Sequence, residues 1–414
     1  MEHPKIRLRV NAWFRDEEID VEFPMGWEIV ECRMAGHDMR PLSDEQMRDA
    51  LLRPIGSPRL KELAAGQDQV VILFDDIPKP TPIHKIVPFV IEELHAGGIS
   101  DDQIRFVCAT GMHRGLTYQE FAAKLGVDIV ARYPVYSHNP YENLVHVGTT
   151  SRGTPVHVNR EYASCGLRIG IGSIVIHGSA GFGGGGKIVL PGISGVETIE
   201  YHHRMMKEVP GALNLKRGVI DDNRFRLDID EAARLAALQF KVDAVLNNRR
   251  EVVGLFAGDM IAEHRAGAAM AQQVYRTAPA KDADVVVMNL YPIETQFVKS
   301  TWCVPTSLKE GGDAVLFSQY PDAQNLHHLT GRFGTDFGGR HWKASGRAQQ
   351  LAKAGRVIVC APQLTMYDRL DLGGRERVVW CQTWDQVLVE LTARNGHGTK
   401  VAVYPYAPIQ LAAE

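Results

Sequence analysis

Cysteine is sparse and scattered. Cys32, Cys108, Cys165, Cys303, Cys360 and Cys381 include no C-x-x-C pair and no cluster, which argues against a disulfide framework and a thiolate metal site. Most then read as reduced core residues, with Cys108 and Cys360 at the ends of apolar runs. Long hydrophobic runs are also missing: no stretch reaches the ~18 apolar residues of a membrane span. The opening MEHPKIRLRVNAW lacks the apolar core of a secretion signal, so a cytoplasmic location with no membrane partner is expected. Neither sign of charge dominates. With 46 Lys and Arg against 49 Asp and Glu, the net charge of −3 offers no basic surplus for nucleic acid. Internal repeats, low-complexity tracts and charge blocks are absent as well. Small-molecule chemistry remains.

What is present is a chain of 414 residues, 45% hydrophobic, with 16 histidines and 39 glycines, large enough for two domains. Residues 5 to 32 alternate with period two and read as an antiparallel opening. QVVILFDD then runs apolar into acid, TPIHKIVPFVIEELHAGG has helical spacing with a glycine stop, and QIRFVCATGMH is another strand ending in polar residues. LRIGIGSIVIH is a third strand, PGISGVETIEYHHRMM a helix, and DEAARLAALQF through MIAEHRAGAAMAQQVYRTA a long helical middle. After a hinge at APAKDAD, a second alternation begins with ADVVVMNLYP, GDAVLFSQ, RVIVCAP, QVLVELTARNG and KVAVYPY. The expected class is α/β, with two domains, each a mainly parallel sheet flanked by helices, and an active site in the cleft between them. Residues 1–275 would form the N-terminal cofactor-binding and catalytic domain and 281–414 the C-terminal one, whose last segment could pack back on the first. In such sheets functional groups collect where strands end at their carboxyl edge.

Four polar clusters lie at or just after such ends. FDDIPKPTP places Asp75 or Asp76 with Lys79 on a proline-stiffened loop, where the acid could equally be a helix cap. ATGMHR puts His113 and Arg114 behind a turn glycine. His177 closes a strand, and the run GFGGGGK leads to Lys187. On the following helix Val196, Ile199, His203 and Met206 share a face, so His203 is read as directed inward and His202 as about 100° away. YPIETQFVKSTW carries Gln296 and Lys299, on one side if a helical turn forms there.

The glycine run satisfies G-x-x-x-x-G-K, but a phosphate loop needs a hydroxyl after the lysine and a helix beyond. Here Ile188 follows and Pro191 interrupts, which argues against a nucleoside triphosphatase. Gly183, Gly184, Gly185 and Gly186 still suggest backbone pressed against a flat or anionic cofactor. Lys187 beside it would neutralise phosphate or act as a nucleophilic amine.

Taken together, DIPKPTP, ATGMHR, HGSAGFGGGGKIVLPG with a histidine sixteen residues past the lysine, and Gln296 with Lys299 resemble the nickel-pincer-nucleotide-dependent lactate racemase family along most of the chain. The resemblance implies a racemase or epimerase of a 2-hydroxy acid. Its cofactor would be a nickel-pincer nucleotide, of the Ni(II) pyridinium-3,5-bisthiocarboxylic acid mononucleotide type, supplied by cofactor-biosynthesis proteins. It further implies that Lys187 anchors that group, covalently in some members, and that His203 is the protein ligand to square-planar nickel, for which imidazole is suitable. His113 and His177 would be the paired acid/bases, with Asp76, Lys79, Gln296 and Lys299 orienting the substrate. The chemistry is coherent: removing the α-hydrogen as hydride needs an acceptor that no side chain provides. One departure stands out, because the family has arginine where this chain has Lys79, a point charge instead of a planar fork. Two other readings use the same residues: a zinc hydrolase or lyase built on His113, His177 and His203, and a non-catalytic nickel-nucleotide carrier.

Overall fold

In the computed structural model, residues 3–208, 216–322, 350–374 and 376–413 are described. The chain divides into two compact units, one containing Asp38–Val274 and the other the described residues before and after it.

The Asp38–Val274 unit is built on a six-stranded sheet in the order Val252–Gly258, Phe240–Leu246, Leu167–Ser173, Val70–Asp75, Ile104–Ala109, Val135–Ser137. All neighbours run parallel except the first pair. Val70–Asp75 is buried along its whole length, as a central strand covered on both faces must be, hence its unbroken apolar run. Its Ile72 and Phe74 pack with Ile169 and Ile171 of the next strand and with Ile86, Val90 and Leu94 of the helix Ile83–Ala96. That helix stops at Gly97, whose N–H caps the Glu93 carbonyl.

The strands Phe240–Leu246 and Val252–Gly258 correct the reading of a long helical middle. They form an antiparallel pair between the helices Arg224–Leu235 and Ala262–Val274. A short apolar run buried on both faces has no alternation to set it apart from a buried helix.

The second unit holds a wholly parallel sheet, Val378–Cys381, Arg356–Cys360, Leu308–Phe317, Ala283–Asn289, Lys400–Tyr404, Glu28–Glu31. The opening residues, expected within the N-terminal domain, belong here. Lys5–Val10 and Glu17–Glu22 pair antiparallel as read, but Glu28–Glu31 adds as an edge strand to Lys400–Tyr404. The last strand, Leu411–Ala412, pairs with Arg276–Thr277 of the same unit. QVLVELT, placed in the strand alternation, is the helix Trp384–Thr392, started by Thr383 accepting from the Gln386 N–H. No described helix is long and apolar enough to cross a membrane.

Ile72 is completely buried in the central strand. Truncation to alanine is expected to cost about 2–5 kcal/mol, to be read from urea unfolding of the whole chain.

Candidate active site

Three adjacent strands deliver functional side chains at their carboxyl ends. Val70–Asp75 leads into Asp76 and Lys79, Ile104–Ala109 into His113, and Leu167–Ser173 into His177 and the glycine run.

Asp76, buried to 1% exposure, holds His113 through a 2.6 Å contact from Nδ1 to Oδ2. The Lys79 ammonium stands 3.8 Å from its other oxygen. Burial would raise the Asp76 carboxyl, but His113 and Lys79 outweigh it and keep the pKa below the ordinary value. A carboxylate can only accept, so His113 donates from Nδ1 and its basic nitrogen is Nε2. Asp75 serves the scaffold instead, binding the fully buried Lys124 at 2.5 Å and accepting from the Thr81 hydroxyl. Lys124 also donates to the Lys79 carbonyl at 3.1 Å, tying that loop down.

His177 has the opposite tautomer. Its Nδ1 accepts from the Ser179 and Ala180 N–H groups at 3.2 and 3.0 Å, which excludes a proton there and places it on Nε2.

Phe225, in the first turn of the helix Arg224–Leu235, gathers the rest. Its ring is stacked with His177 at 6.5 Å, contacts His202 at 3.8 Å and His203 edge-on at 5.5 Å, and has the Lys187 ammonium over it at 5.7 Å. On the helix Val196–Glu208, His203 meets Phe225 as an inward residue would, and His202 is drawn in as well. His202 is the fully buried histidine, its Nδ1 2.6 Å from Asp228, whose carboxylate also accepts from Thr150 and Thr154. His203 is half-buried, and the side chain of Met206 lies outside the described residues. Apolar periodicity located a face but could not show that an acid on another helix draws His202 inward.

His203 donates from Nδ1 to the Ile199 carbonyl at 2.7 Å, leaving Nε2 as a lone-pair donor, the arrangement typical of metal-binding imidazoles. Burial, with His202 next in weight, pushes its pKa down to about 3, so its imidazole is neutral at any ordinary pH. Burial, then Arg226 and Lys79, pull Lys187 well below the usual lysine value, and no carboxylate pairs with it among the described residues. A lowered lysine pKa favours a nucleophilic amine, so both residues fit a nickel-bearing electrophilic cofactor.

The glycines have a reason within the protein itself. A Cβ at Gly184 would lie 2.6 Å from Asp243 Oδ2, one at Gly185 3.0 Å from His264 Cγ, and one at Gly186 2.9 Å from the Ala233 Cβ. The crowding that demands bare backbone at these three comes from the protein's own interior; only Gly183 would meet ordinary contacts. Gly184 and Gly185 also have positive φ, +77° and +57°, which L side chains rarely adopt. Lys187 sits in the short turn Gly185–Ile188 that follows.

Gln296 and Lys299 belong to the other unit. The single turn expected there forms, Phe297–Lys299, with the Lys299 N–H on the Gln296 carbonyl at 3.2 Å. No described group of three or more His, Cys, Asp or Glu is arranged to hold a metal, so the zinc reading of His113, His177 and His203 lacks its ligand set. Sequence reasoning missed Phe225, Arg226, Asp228, Asp243 and His264. The charged pair Lys241 and Asp243, two apart inside the apolar run FKVDAVL, was a usable signal for one of them.

The fold and these side chains define an α/β protein whose sheet edge carries an Asp–His pair, a second histidine of opposite tautomer, and a buried lysine beside imidazoles. Residues 14–213 match the family model described as the lactate racemase N-terminal domain. The chain is 34% identical over 279 residues to the lactate racemase of Lactiplantibacillus plantarum, covering 66% of this chain and 65% of that one. With the lactate racemase of Thermoanaerobacterium thermosaccharolyticum it shares 30% over 301 residues, 71% of this chain and 70% of that one. The chain belongs to the lactate racemase family. The aligned stretch falls just short of two thirds of the L. plantarum relative's length. The T. thermosaccharolyticum lactate racemase apoprotein has the same fold, with a TM-score of 0.75 at 23% identity over 99% of this chain and all of that one. A Thermotoga maritima protein follows at 0.66 and 16%, over 90% of this chain and 98% of its own.

Two outcomes test this geometry. Because the Asp76 pKa is lowered, its ionised form adds stability that is complete above the ordinary carboxylate range and lost as pH falls through the lowered value. Asp76→Asn should therefore flatten the acid limb of the unfolding midpoint below about pH 5. In the cofactor-free chain, Lys187 should acylate faster at neutral pH than the exposed Lys281, as peptide mass spectrometry would show; equal or slower reaction would contradict an uncharged amine.

Proposed function

We propose that this chain is an isomerase that interconverts the enantiomers or epimers of a 2-hydroxy acid. The observation that carries the reading is the opposite hydrogen bonding at Nδ1 of His113 and His177. His113 donates from Nδ1 to Asp76, which makes Nε2 its basic nitrogen, and His177 accepts two backbone N–H groups at Nδ1, which keeps its hydrogen on Nε2. A reaction that inverts a carbon bearing OH must take the hydroxyl proton from one arrangement and return it to the mirror arrangement. A base that takes and returns the proton, beside an N–H that holds the oxygen in either arrangement, meets that need.

His113 Nε2 takes the hydroxyl proton, and Asp76 steadies the imidazolium that results. The His113 imidazolium gives that proton back to the oxygen of the opposite enantiomer. His177 donates its Nε2–H to the oxygen as a hydrogen bond and keeps the proton, because its two N–H partners at Nδ1 leave no second proton on the ring. Lys79, with Gln296 and Lys299, is proposed to orient the substrate carboxylate and oxygen. A nickel-pincer nucleotide would be held by Lys187 and His203, with Gly183, Gly184, Gly185 and Gly186 beside it. When bound, it would supply the hydride acceptor that the chain lacks.

The test is a panel of chiral 2-hydroxy acids incubated with cofactor-loaded protein in D2O, read by loss of optical purity and by mass. Racemisation with protium kept at the α-carbon is expected. Deuterium at that carbon would overturn the hydride route, and nickel-nucleotide binding with no racemisation of any acid would favour the carrier. His113→Ala and His177→Ala should each abolish turnover, by roughly 10²–10⁴-fold or more, while retaining cofactor. Lys187→Ala and His203→Ala should lose it on gel filtration.

A further inference from the structure

The loop that ends in Lys187 has almost no side chains of its own with which to hold a position, yet its backbone is gripped from beneath. Arg226 donates from one terminal nitrogen to the Gly184 carbonyl at 3.2 Å and from the other to the Phe182 carbonyl. His264 Nε2 donates to the Gly183 carbonyl at 2.8 Å, and Asp243 accepts from the Gly185 N–H at 2.6 Å. Four consecutive residues, 182 to 185, are thus each fixed by one of three side chains. These come from three elements, the helices Arg224–Leu235 and Ala262–Val274 and the strand Phe240–Leu246. All three are at least 98% buried. Asn223, one turn before Arg226, extends the grip by donating to the Ser179 carbonyl at 2.8 Å. The loop held in this way runs from His177 to Lys187.

We infer that Arg226, supported by Asp243 and His264, is the positioning residue that sets the trajectory of residues 182–186. It thereby aims Lys187 and His177 at a common reaction space without touching substrate. Two features point past simple packing. A buried guanidinium is costly to desolvate, and its carboxylate partner among the described residues, Asp230, stands 3.5 Å away, so most of its close hydrogen bonding goes to the loop. Arg226 is also next to Phe225, so one helical turn locates both the glycine loop and the imidazoles around that ring. A hydrophobic residue could fill the volume; only a forked donor can hold two carbonyls two residues apart.

The inference rests on the proposed racemase reading only where turnover is measured, so the experiment has an independent arm. Arg226→Met and Arg226→Lys are made in the full chain, with unfolding midpoints taken first. Hydrogen exchange of residues 181–188 is then followed by mass spectrometry in the cofactor-free protein. Losing hydrogen bonds from a charged donor should speed exchange of this segment by about 10–100-fold in Arg226→Met, while Val70–Asp75 keeps its protection. After loading, nickel retained per chain should fall, and kcat should drop roughly tenfold or more with KM nearly unchanged, since ground-state contacts are untouched. Arg226→Lys should recover part of both.

A folded Arg226→Met with parental exchange at 181–188 would overturn the inference, as would a kcat no different from that of Arg226→Lys when the loaded parent is active. If Arg226→Met fails to fold, His264→Leu decides: it removes only the Gly183 contact and must show the same localised loss of protection. If the loaded parent racemises nothing, the functional reading fails and the exchange comparison alone judges the positioning role.

Discussion

Which nitrogen of each imidazole carries a proton is decided here by what touches Nδ1. His113 and His202 give that hydrogen to carboxylates and His203 gives it to a carbonyl, whereas His177 receives two amide hydrogens at the same atom. Four histidines of identical intrinsic chemistry thereby take different states. His113 and His203 carry the hydrogen on Nδ1, His177 carries it on Nε2, and His202 is sealed in the interior. The partners are mostly backbone groups or acids buried with their own supports, such as Asp228 with Thr150 and Thr154. They cannot rotate away as surface partners would, and the tautomers are as fixed as the fold.

The ground beneath the glycine loop obeys a related logic. Lys241 and Asp243 form a fully buried pair, and Arg226 and Asp230 a second, largely buried one. Glu263 beside them is pushed well above the usual carboxylate range by burial and then by Asp243. Buried pairs of this kind contribute little to net stability compared with an apolar filling of the same shape. Their merit is direction. Each oxygen and nitrogen has few acceptable geometries, and the loop laid across them inherits one.

Much of this was legible in the sequence, and the reasons for success and failure are physical. QVVILFDD, QIRFVCATGMH and LRIGIGSIVIH could be read as strands because parallel strands buried on both faces are continuous apolar runs that end in polar residues at the functional edge. That placed Asp76, Lys79, His113 and His177 correctly on neighbouring strand ends. FKVDAVL and VVGLFAG obey the same composition rule but sit between two helical segments, where nothing local breaks the tie. The orientation of His202 and His203 depended on Asp228, an acid from a different helix, and one-helix periodicity contains no information about it. The glycine run was noticed for its bareness, but the sequence could not say on which side the crowding lay. Phe225 was invisible because an aromatic in a helix is most often core, which it also is.

The strand Glu28–Glu31 completes the second sheet only beside Lys400–Tyr404, near the far end of the chain. During translation, residues 38–274 emerge with every strand of their sheet present and can close upon themselves first. The hairpin Lys5–Val10 with Glu17–Glu22, whose Leu8, Val10 and Val21 are buried in the finished protein, must meanwhile wait with its greasy side uncovered. The second sheet thus depends on partners far apart in sequence, and it can close only after the first.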